Sequence, residues 1–216
     1  MDAVQITKIT LSPRADIAYI TVLLPNVSEP QKLWCATEFL GDLEFSKGQL
    51  LSPEQFDQLL KTDAHTRAVQ KGLSLLDFGD HTKRGMCSKL RERGHDRESA
   101  EFAAEYLEGK RYIREDDYMR RLIAKYYKKG YGPSRIKSEL YKKGFDRELF
   151  STVFEEECAE LDFALPASEF IEKKGGLYAL SDKDERQKLY AALMRRGFFL
   201  QHIRDAVEII KNGTNE

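Results

Sequence analysis

The chain has 216 residues, and its 35 basic and 36 acidic side chains leave a formal net charge of −1. Charged residues make up 33% of the chain, above the roughly 25% usual in globular proteins, but an aromatic content of 11% argues against disorder. There is no apolar run near the roughly 20 residues of a membrane span, no signal-peptide pattern, and only three widely spaced cysteines. We therefore expect a cytoplasmic protein with no membrane contact.

The N-terminal part has the pattern of β-structure. Val4 to Leu11 alternates apolar and polar residues, as a half-buried strand does, and Ile17 to Leu24 is rich in β-branched residues. Lys32 to Cys35 is a third candidate strand. Ser52 and Pro53 then predict an N-cap and the first position of a helix. We predict that residues 1–63 form a β-rich N-terminal extension with a short linking helix.

The remaining chain contains an internal repeat. Three copies of a helix pattern end in Gly94, Gly144 and Gly197, which are 50 and 53 residues apart. Apolar residues stand eight and four positions before each glycine, and the glycine fits a helix end with positive φ. A helix precedes each copy, at about 67–78, 115–130 and 166–174, and another follows it.

These repeats predict a mainly α-helical fold. We expect tandem three-helix repeats in three modules, which together make an elongated or curved array after the small β-rich extension. The expected modules are residues 64–114, 115–161 and 162–212.

Charge is distributed unevenly along the chain. Residues 1–63 carry 5 basic and 9 acidic groups, a net charge of −4, whereas the segment from Lys110 to Arg147 carries 13 basic and 5 acidic groups, a net charge of +8. The basic segment is a candidate surface for a polyanion. The alternative is a solvated helix face held by intrahelical ion pairs.

The repeat helices supply the first group of candidate residues for binding a partner or DNA. Arg135 and Lys142 are seven residues apart and share a face, and Lys188 and Arg195 take the same two places in the third repeat. The first repeat departs from this pattern, and its basic candidates are Arg84, Lys89 and Arg91.

Two further groups precede the second repeat helix. Glycines flank Tyr131 in a turn with Lys128 and Lys129, so we expect a flexible basic loop that contacts phosphates and stacks on a base. The alternative is an ordinary turn whose tyrosine packs inward. The third group lies on the helix before this turn, where a solvated face is the alternative, and consists of Arg120, Arg121 and Lys125.

Signs of catalysis are missing from the sequence. The four histidines are scattered without metal-ligand spacing, and no phosphate-binding glycine loop or nucleophile motif is present. We therefore predict a non-enzyme with no catalytic residues, no metal site and no cofactor.

The segment from Lys129 to Asp146 resembles the second-repeat signature of the RecX family of bacterial recombinase regulators, and Asp184 to Phe198 is similar to the third repeat of that family. The resemblance implies a monomeric regulatory protein that binds the RecA recombinase and its single-stranded-DNA filament. It also implies inhibition of recombinase, ATPase and SOS co-protease activity, and thus regulation of recombination and DNA repair. Direct binding to single- or double-stranded DNA remains open, and the alternative function is a stand-alone helical DNA-binding module.

Overall fold

A computed structural model describes residues 4–25, 27–41 and 44–213. The chain forms two compact units, Met1–Ile113 and Arg114–Glu216. The first unit has one apolar core under a small sheet and a second among its helices, and the other unit has a single core. The predicted fold class, helical repeats after a small β-rich segment, is confirmed.

Within the described residues, four antiparallel strands form the N-terminal sheet in the order β3-β2-β1-β4. Three of them were predicted: β1 is Val4–Leu11, β2 is Ile17–Leu23 and β3 is Gln31–Ala36. The fourth, β4, is Leu50–Leu51, which pairs with the start of β1. A two-residue strand has too few positions to show an alternating pattern, so the sequence gives no sign of it.

Helix α1, Pro53–Leu76, begins where the sequence predicts, with Ser52 as a capping-box N-cap. The linking helix and the first helix of repeat 1, which the sequence analysis separates, are one continuous helix of 24 residues. Asp63, the last residue of the predicted extension, lies inside it. No proline interrupts the segment after Pro53, so nothing in the backbone ends the helix there.

Side chains of α1 also complete the hydrogen bonding of β3, the strand at one edge of the sheet. The amide of Trp34 donates to Asp63 Oδ1 across 2.6 Å, and the amide of Ala36 donates to Thr66 Oγ1 across 2.8 Å. An exposed edge strand is a template for unwanted pairing, and here a helix covers it. The sheet and the first repeat are thus joined through α1.

The other helices of the first unit are α2, Lys83–Arg91, and α3, Arg97–Gly109. The second unit contains α4, Glu115–Lys128, and α5, Pro133–Lys143. A helical stretch then runs through α6, Arg147–Leu149, a π-helical turn, Phe150–Phe154, and α7, Glu155–Ala159. The last helices are α8, Ala164–Lys173; α9, Gly176–Ser181; α10, Lys183–Arg195; and α11, Leu200–Gly213. Helix α9 is additional to the three helices predicted for the third repeat.

The repeat pattern read from the sequence has the expected structural basis. The three repeat glycines have φ angles of +89° at Gly94, +80° at Gly144 and +89° at Gly197. Positive φ is unfavourable for residues with a side chain, which explains the glycine at each helix end. The apolar residues eight and four positions earlier are all buried: Met86, Leu90, Ile136, Leu140, Leu189 and Leu193.

Candidate interface on the second and third repeats

The N-terminus of α5 meets the C-terminus of α10 end to end. The amide of Gly132 donates to the carbonyl oxygen of Arg196 across 2.9 Å, and the amide of Ser134 donates to that of Gly197 across 3.1 Å. The first amides and last carbonyls of a helix lack partners within their own helix, and here they satisfy one another. The positive end of the α5 dipole therefore lies at the negative end of the α10 dipole. These two amides at the start of α5 are therefore already used by protein carbonyls and are not open to an anion.

Two glycines make this close approach feasible. A Cβ atom on Gly132 would lie 2.3 Å from the carbonyl carbon of Gly197, and a Cβ atom on Gly197 would lie 2.2 Å from the amide nitrogen of Arg135. The sequence suggests that the glycine pair in the turn from Lys128 to Arg135 provides flexibility. The structure shows a steric reason for glycine at position 132, because only a residue without a side chain allows its backbone to contact that of Gly197.

Tyr131 is half-buried at the same junction. Its ring stacks on Tyr126 with centroids 5.9 Å apart and an angle of 13° between the planes. The guanidinium carbon of Arg135 lies 5.7 Å from the Tyr131 centroid. This geometry favours the alternative in which the tyrosine packs inward, and a role in base stacking stays a prediction.

Arg196, which was not among the candidates, has a structural role. Its guanidinium lies 4.5 Å from the Phe170 ring centroid, and its Nη1 atom donates to the carbonyl oxygen of Gly130 across 3.4 Å. Arg196 therefore ties α8 and the turn after α4 to the end of α10.

Several candidate cations are paired with carboxylates. Glu139 accepts from two of the candidate binding residues on α5: Arg135 Nη2 lies 2.8 Å and Lys142 Nζ 3.1 Å from its Oε1 atom. The hydrogen bond from Lys142 and the nearby positive charges lower the pKa of Glu139. The shared face predicted for Arg135 and Lys142 thus carries a net charge of +1. Three further candidates form ion pairs, in Arg120–Glu157, Lys89–Glu92 and Lys188–Glu185.

Other candidates have no carboxylate partner among the residues that the structure describes. They are Arg84, Arg91, Lys125, Lys128, Lys129 and Arg195, all exposed. Arg121 is exposed on α4. Arg84, Lys89 and Arg91 belong to the first unit, whereas the other candidates belong to the second.

A groove along α5 was missed by the sequence analysis. It has a volume of about 530 Å³ and is lined by Ser134, Lys137, Ser138, Tyr141 and Lys142. Tyr141 is 49% exposed and its ring stacks on Phe150, with centroids 4.1 Å apart. These positions follow the three- and four-residue spacing of one helix face, a signal that was available in the sequence. Hydroxyl groups, two ammonium groups and an aromatic ring together suit a phosphate-bearing chain.

The third repeat has a smaller pocket next to its candidate residues. It has a volume of about 250 Å³ and lies between α8, α9 and α10, with Phe170 and Leu189 among its apolar residues. Lys174, Lys188 and Arg195 supply positive charge at this pocket, and Glu185 pairs with Lys188 across 2.9 Å. Lys188 and Arg195, predicted to share a face, do line one site.

Among the described residues, no group of three His, Cys, Asp or Glu side chains is placed to hold a metal ion. None of the described helices combines the length and apolar character that crossing a membrane requires.

The helical repeats and the small N-terminal sheet define a helical-repeat protein. A family model described as the third three-helix domain of RecX matches residues 167–207. A regulatory protein RecX from Xanthomonas campestris is 31% identical over 130 residues, which cover 60% of this chain and 79% of that protein. One from Cronobacter sakazakii is 26% identical over 157 residues, covering 68% of this chain and 94% of that protein. The chain belongs to the RecX family of regulatory proteins.

Solved structures show the same fold. A crystal structure of a regulatory protein RecX superposes with a TM-score of 0.73 at 20% identity, over 94% of this chain and 99% of that one. RecX from Lactobacillus salivarius superposes with a TM-score of 0.60 at 19% identity, over 69% of this chain and 97% of that one.

Proposed function

We propose that this protein binds the RecA recombinase and its filament on single-stranded DNA in the cytoplasm, and that it mainly inhibits recombinase, ATPase and SOS co-protease activity. Membership of a family of regulatory proteins supports this role, as does the resemblance of the segment from Lys129 to Asp146 to the family signature. The protein acts by binding, as a monomer, and performs no chemistry on its partner.

The groove along α5 is the observation that carries the proposal. Lys137 and the hydroxyl-bearing Ser134 and Ser138 line it with Tyr141, which presents a ring, and with Lys142, whose ammonium is shared with Glu139. A nucleoprotein filament is anionic through its DNA, so a basic surface accelerates association and stabilises the complex. Lys128, Lys129 and Arg195, which have no carboxylate partner in the part of the chain that the structure describes, add positive charge to the same unit.

Co-sedimentation with RecA filaments on single-stranded DNA tests the proposal directly. We expect the chain to pellet with filaments and to reduce the DNA-dependent ATPase rate in proportion to the amount bound. Naked single-stranded DNA of the same length is the control. A chain that leaves the ATPase rate unchanged at saturating concentration would refute the proposal.

The same groove favours a second candidate function, a stand-alone DNA-binding module. Binding through about six phosphate contacts loses on the order of a thousandfold in affinity between 50 and 200 mM salt. Binding to naked single-stranded DNA that survives physiological salt, without any effect on recombinase, would favour this second function. Binding that requires recombinase would exclude it.

A further inference from the structure

The pocket in the third repeat combines apolar residues that are buried or partly buried with charged residues that are exposed. It has a volume of about 250 Å³ and lies between α8, α9 and α10. Its apolar lining consists of Phe170, Ala179, Leu189 and Ala192. Ala179 and Leu189 belong to the core of the second unit, whereas Phe170 and Ala192 are only partly buried. The pocket therefore presents an apolar floor to an occupant.

One face of α10 supplies most of the residues that line the pocket. They follow the three- and four-residue spacing of a single helix face and are Glu185, Lys188, Leu189, Ala192 and Arg195. Phe170 and Lys174, four residues apart at the end of α8, supply another wall. The Arg196 guanidinium lies 4.5 Å from the Phe170 ring centroid, so this ring is held against the end of α10. The packing of the second unit alone thus brings these side chains together.

The charged side chains of the pocket favour an anionic occupant. Lys188 Nζ lies 2.9 Å from Glu185 Oε1, so these two charges neutralise each other. Lys174 and Arg195 are exposed and have no carboxylate partner among the residues that the structure describes. Because three cations and one carboxylate line the pocket, its net charge is +2. Carboxylates and phosphates are the biological anions that such a site attracts.

The apolar floor decides between a protein and a nucleic acid as the source of these anions. The described residues that line the pocket include no uncharged hydrogen-bonding side chain, whereas the groove along α5 has two serines. A nucleobase would place its polar edges against methyl groups, which is unfavourable, but an apolar side chain is stabilised by leaving water there.

From this geometry we infer that the pocket binds an apolar side chain from an acidic segment of a protein partner. The carboxylates next to that side chain pair with Lys174 and Arg195. The inference deepens the proposed function and rests on it in taking the partner to be a protein.

The experiment uses the full chain, labelled with ¹³C at its alanine methyl groups, and the blocked peptide acetyl-Glu-Asp-Leu-Asp-Glu-amide. We expect a saturable titration, on the order of millimolar, that moves the methyl resonances of Ala179 and Ala192. A peptide with Ser in place of Leu should bind at least about fivefold more weakly, because it has no apolar side chain to bury. A peptide with Lys at the four acidic positions should not bind, and a pentanucleotide of thymidine should leave both methyl resonances unmoved.

Two variants make the site assignment specific. Ala192→Leu fills the pocket from a partly buried position and should weaken binding of the Leu peptide at least about fivefold. Arg195→Gln removes an exposed cation and should weaken it at least about threefold. Arg204→Gln, an equally exposed change on α11 outside the pocket, is the matched control and should leave binding unchanged.

Unmoved methyl resonances, equal binding of the Leu and Ser peptides, or normal binding by Arg195→Gln would each overturn the inference. Equal movement of the methyl resonances by the pentanucleotide would also overturn it and assign the pocket to DNA. Because no recombinase is present, failure of the peptide titration is distinct from failure of co-sedimentation with filaments, which tests the proposed function.

Discussion

The amide of Ser134 donates to the carbonyl oxygen of Gly197 across 3.1 Å, so the first turn of α5 lies against the residues that follow α10. This bond places the backbone of the second repeat directly against that of the third. It also removes a feature that the sequence suggests, because α5 begins with Gly132-Pro133-Ser134 and would otherwise present free amides to a phosphate. The Gly132 and Ser134 amides are therefore not open to an anion, and the side chains of Lys137, Lys142 and Arg195 are the groups to test.

The backbone contact at Gly197 predicts a large effect of a single methyl group. In Gly197→Ala, the new Cβ would lie 2.2 Å from the amide nitrogen of Arg135, and the backbone cannot move away without breaking the junction. We expect a loss of at least about 2 kcal/mol from overpacking, in addition to about 1–2 kcal/mol for a side chain at positive φ. Thermal and urea unfolding of the second unit measure this loss in the free energy of unfolding.

Alanine substitutions at two other glycines distinguish the effect of the steric clash from that of the positive φ angle. Gly130 in the same unit has φ +70° and only an ordinary contact of 3.7 Å, and Gly94 in the first unit has the same φ as Gly197 with nothing within 4 Å. Gly130→Ala and Gly94→Ala should therefore cost only the strain. If Gly197→Ala is no more destabilising than these two, the helix junction is not formed in solution.

Leu140→Ala is predicted to destabilise the protein more than Arg135→Ala. Leu140 is fully buried on α5, and truncation of a buried leucine costs about 2–5 kcal/mol. Arg135 is exposed, and its loss should stay within about 1 kcal/mol. Both residues belong to α5, so the melting curves of the two variants report the unfolding of the same element. Equal melting temperatures would mean that the buried face of α5 is assigned wrongly.

A charge swap on α5 tests the role of the basic face in inhibition. Simple reversal of Arg135 and Lys142 would surround Glu139 with two more carboxylates and destabilise the helix. The triple variant Arg135→Glu, Glu139→Lys, Lys142→Glu instead retains the ion pairs and changes the local charge from +1 to −1. We expect the concentration for half-inhibition of the RecA ATPase to rise roughly tenfold, about 1.4 kcal/mol, with an unchanged melting curve.

Reversal of Lys8 and Lys47, both exposed in the acidic N-terminal region, is the control for a general effect of net charge. It should leave inhibition unchanged. Should the triple variant inhibit as well as the unmodified protein at moderate salt, the α5 face is merely solvated and contact with the filament lies elsewhere.

The cysteines should react slowly in the native protein. Burial raises the pKa of Cys35 to about 12 and that of Cys158 to about 11, and burial also raises the pKa of Cys87. At pH 8 only about one Cys35 thiol in ten thousand is then ionised, and the thiolate is the reactive form. Labelling with a disulfide reagent should be slowest at Cys35 and rapid for all three thiols in urea. Fast native labelling of Cys35 would show that β3 opens away from α1.

Local sequence patterns were sufficient to predict much of the helical fold. Met86 and Leu90, or Ile136 and Leu140, are buried as their four-residue spacing predicts, because this spacing alone places two side chains on one face of a helix. Local patterns failed where an element is short or has no stop signal. The strand Leu50–Leu51 is too short to show alternation, and α1 continues through residue 63 because nothing there ends it.

By itself, the sequence determined the three repeats, their closing glycines, the buried helix faces and the excess of basic residues between Lys110 and Arg147, since these depend on periodicity and composition. Tertiary structure alone decided which groups meet. It brought Gly132 against Gly197, placed Glu139 between Arg135 and Lys142, and buried His65 against Phe102. The reason is that contacts between distant segments depend on how helices dock, and backbone hydrogen bonds between helix ends leave no periodic signal in the side chains.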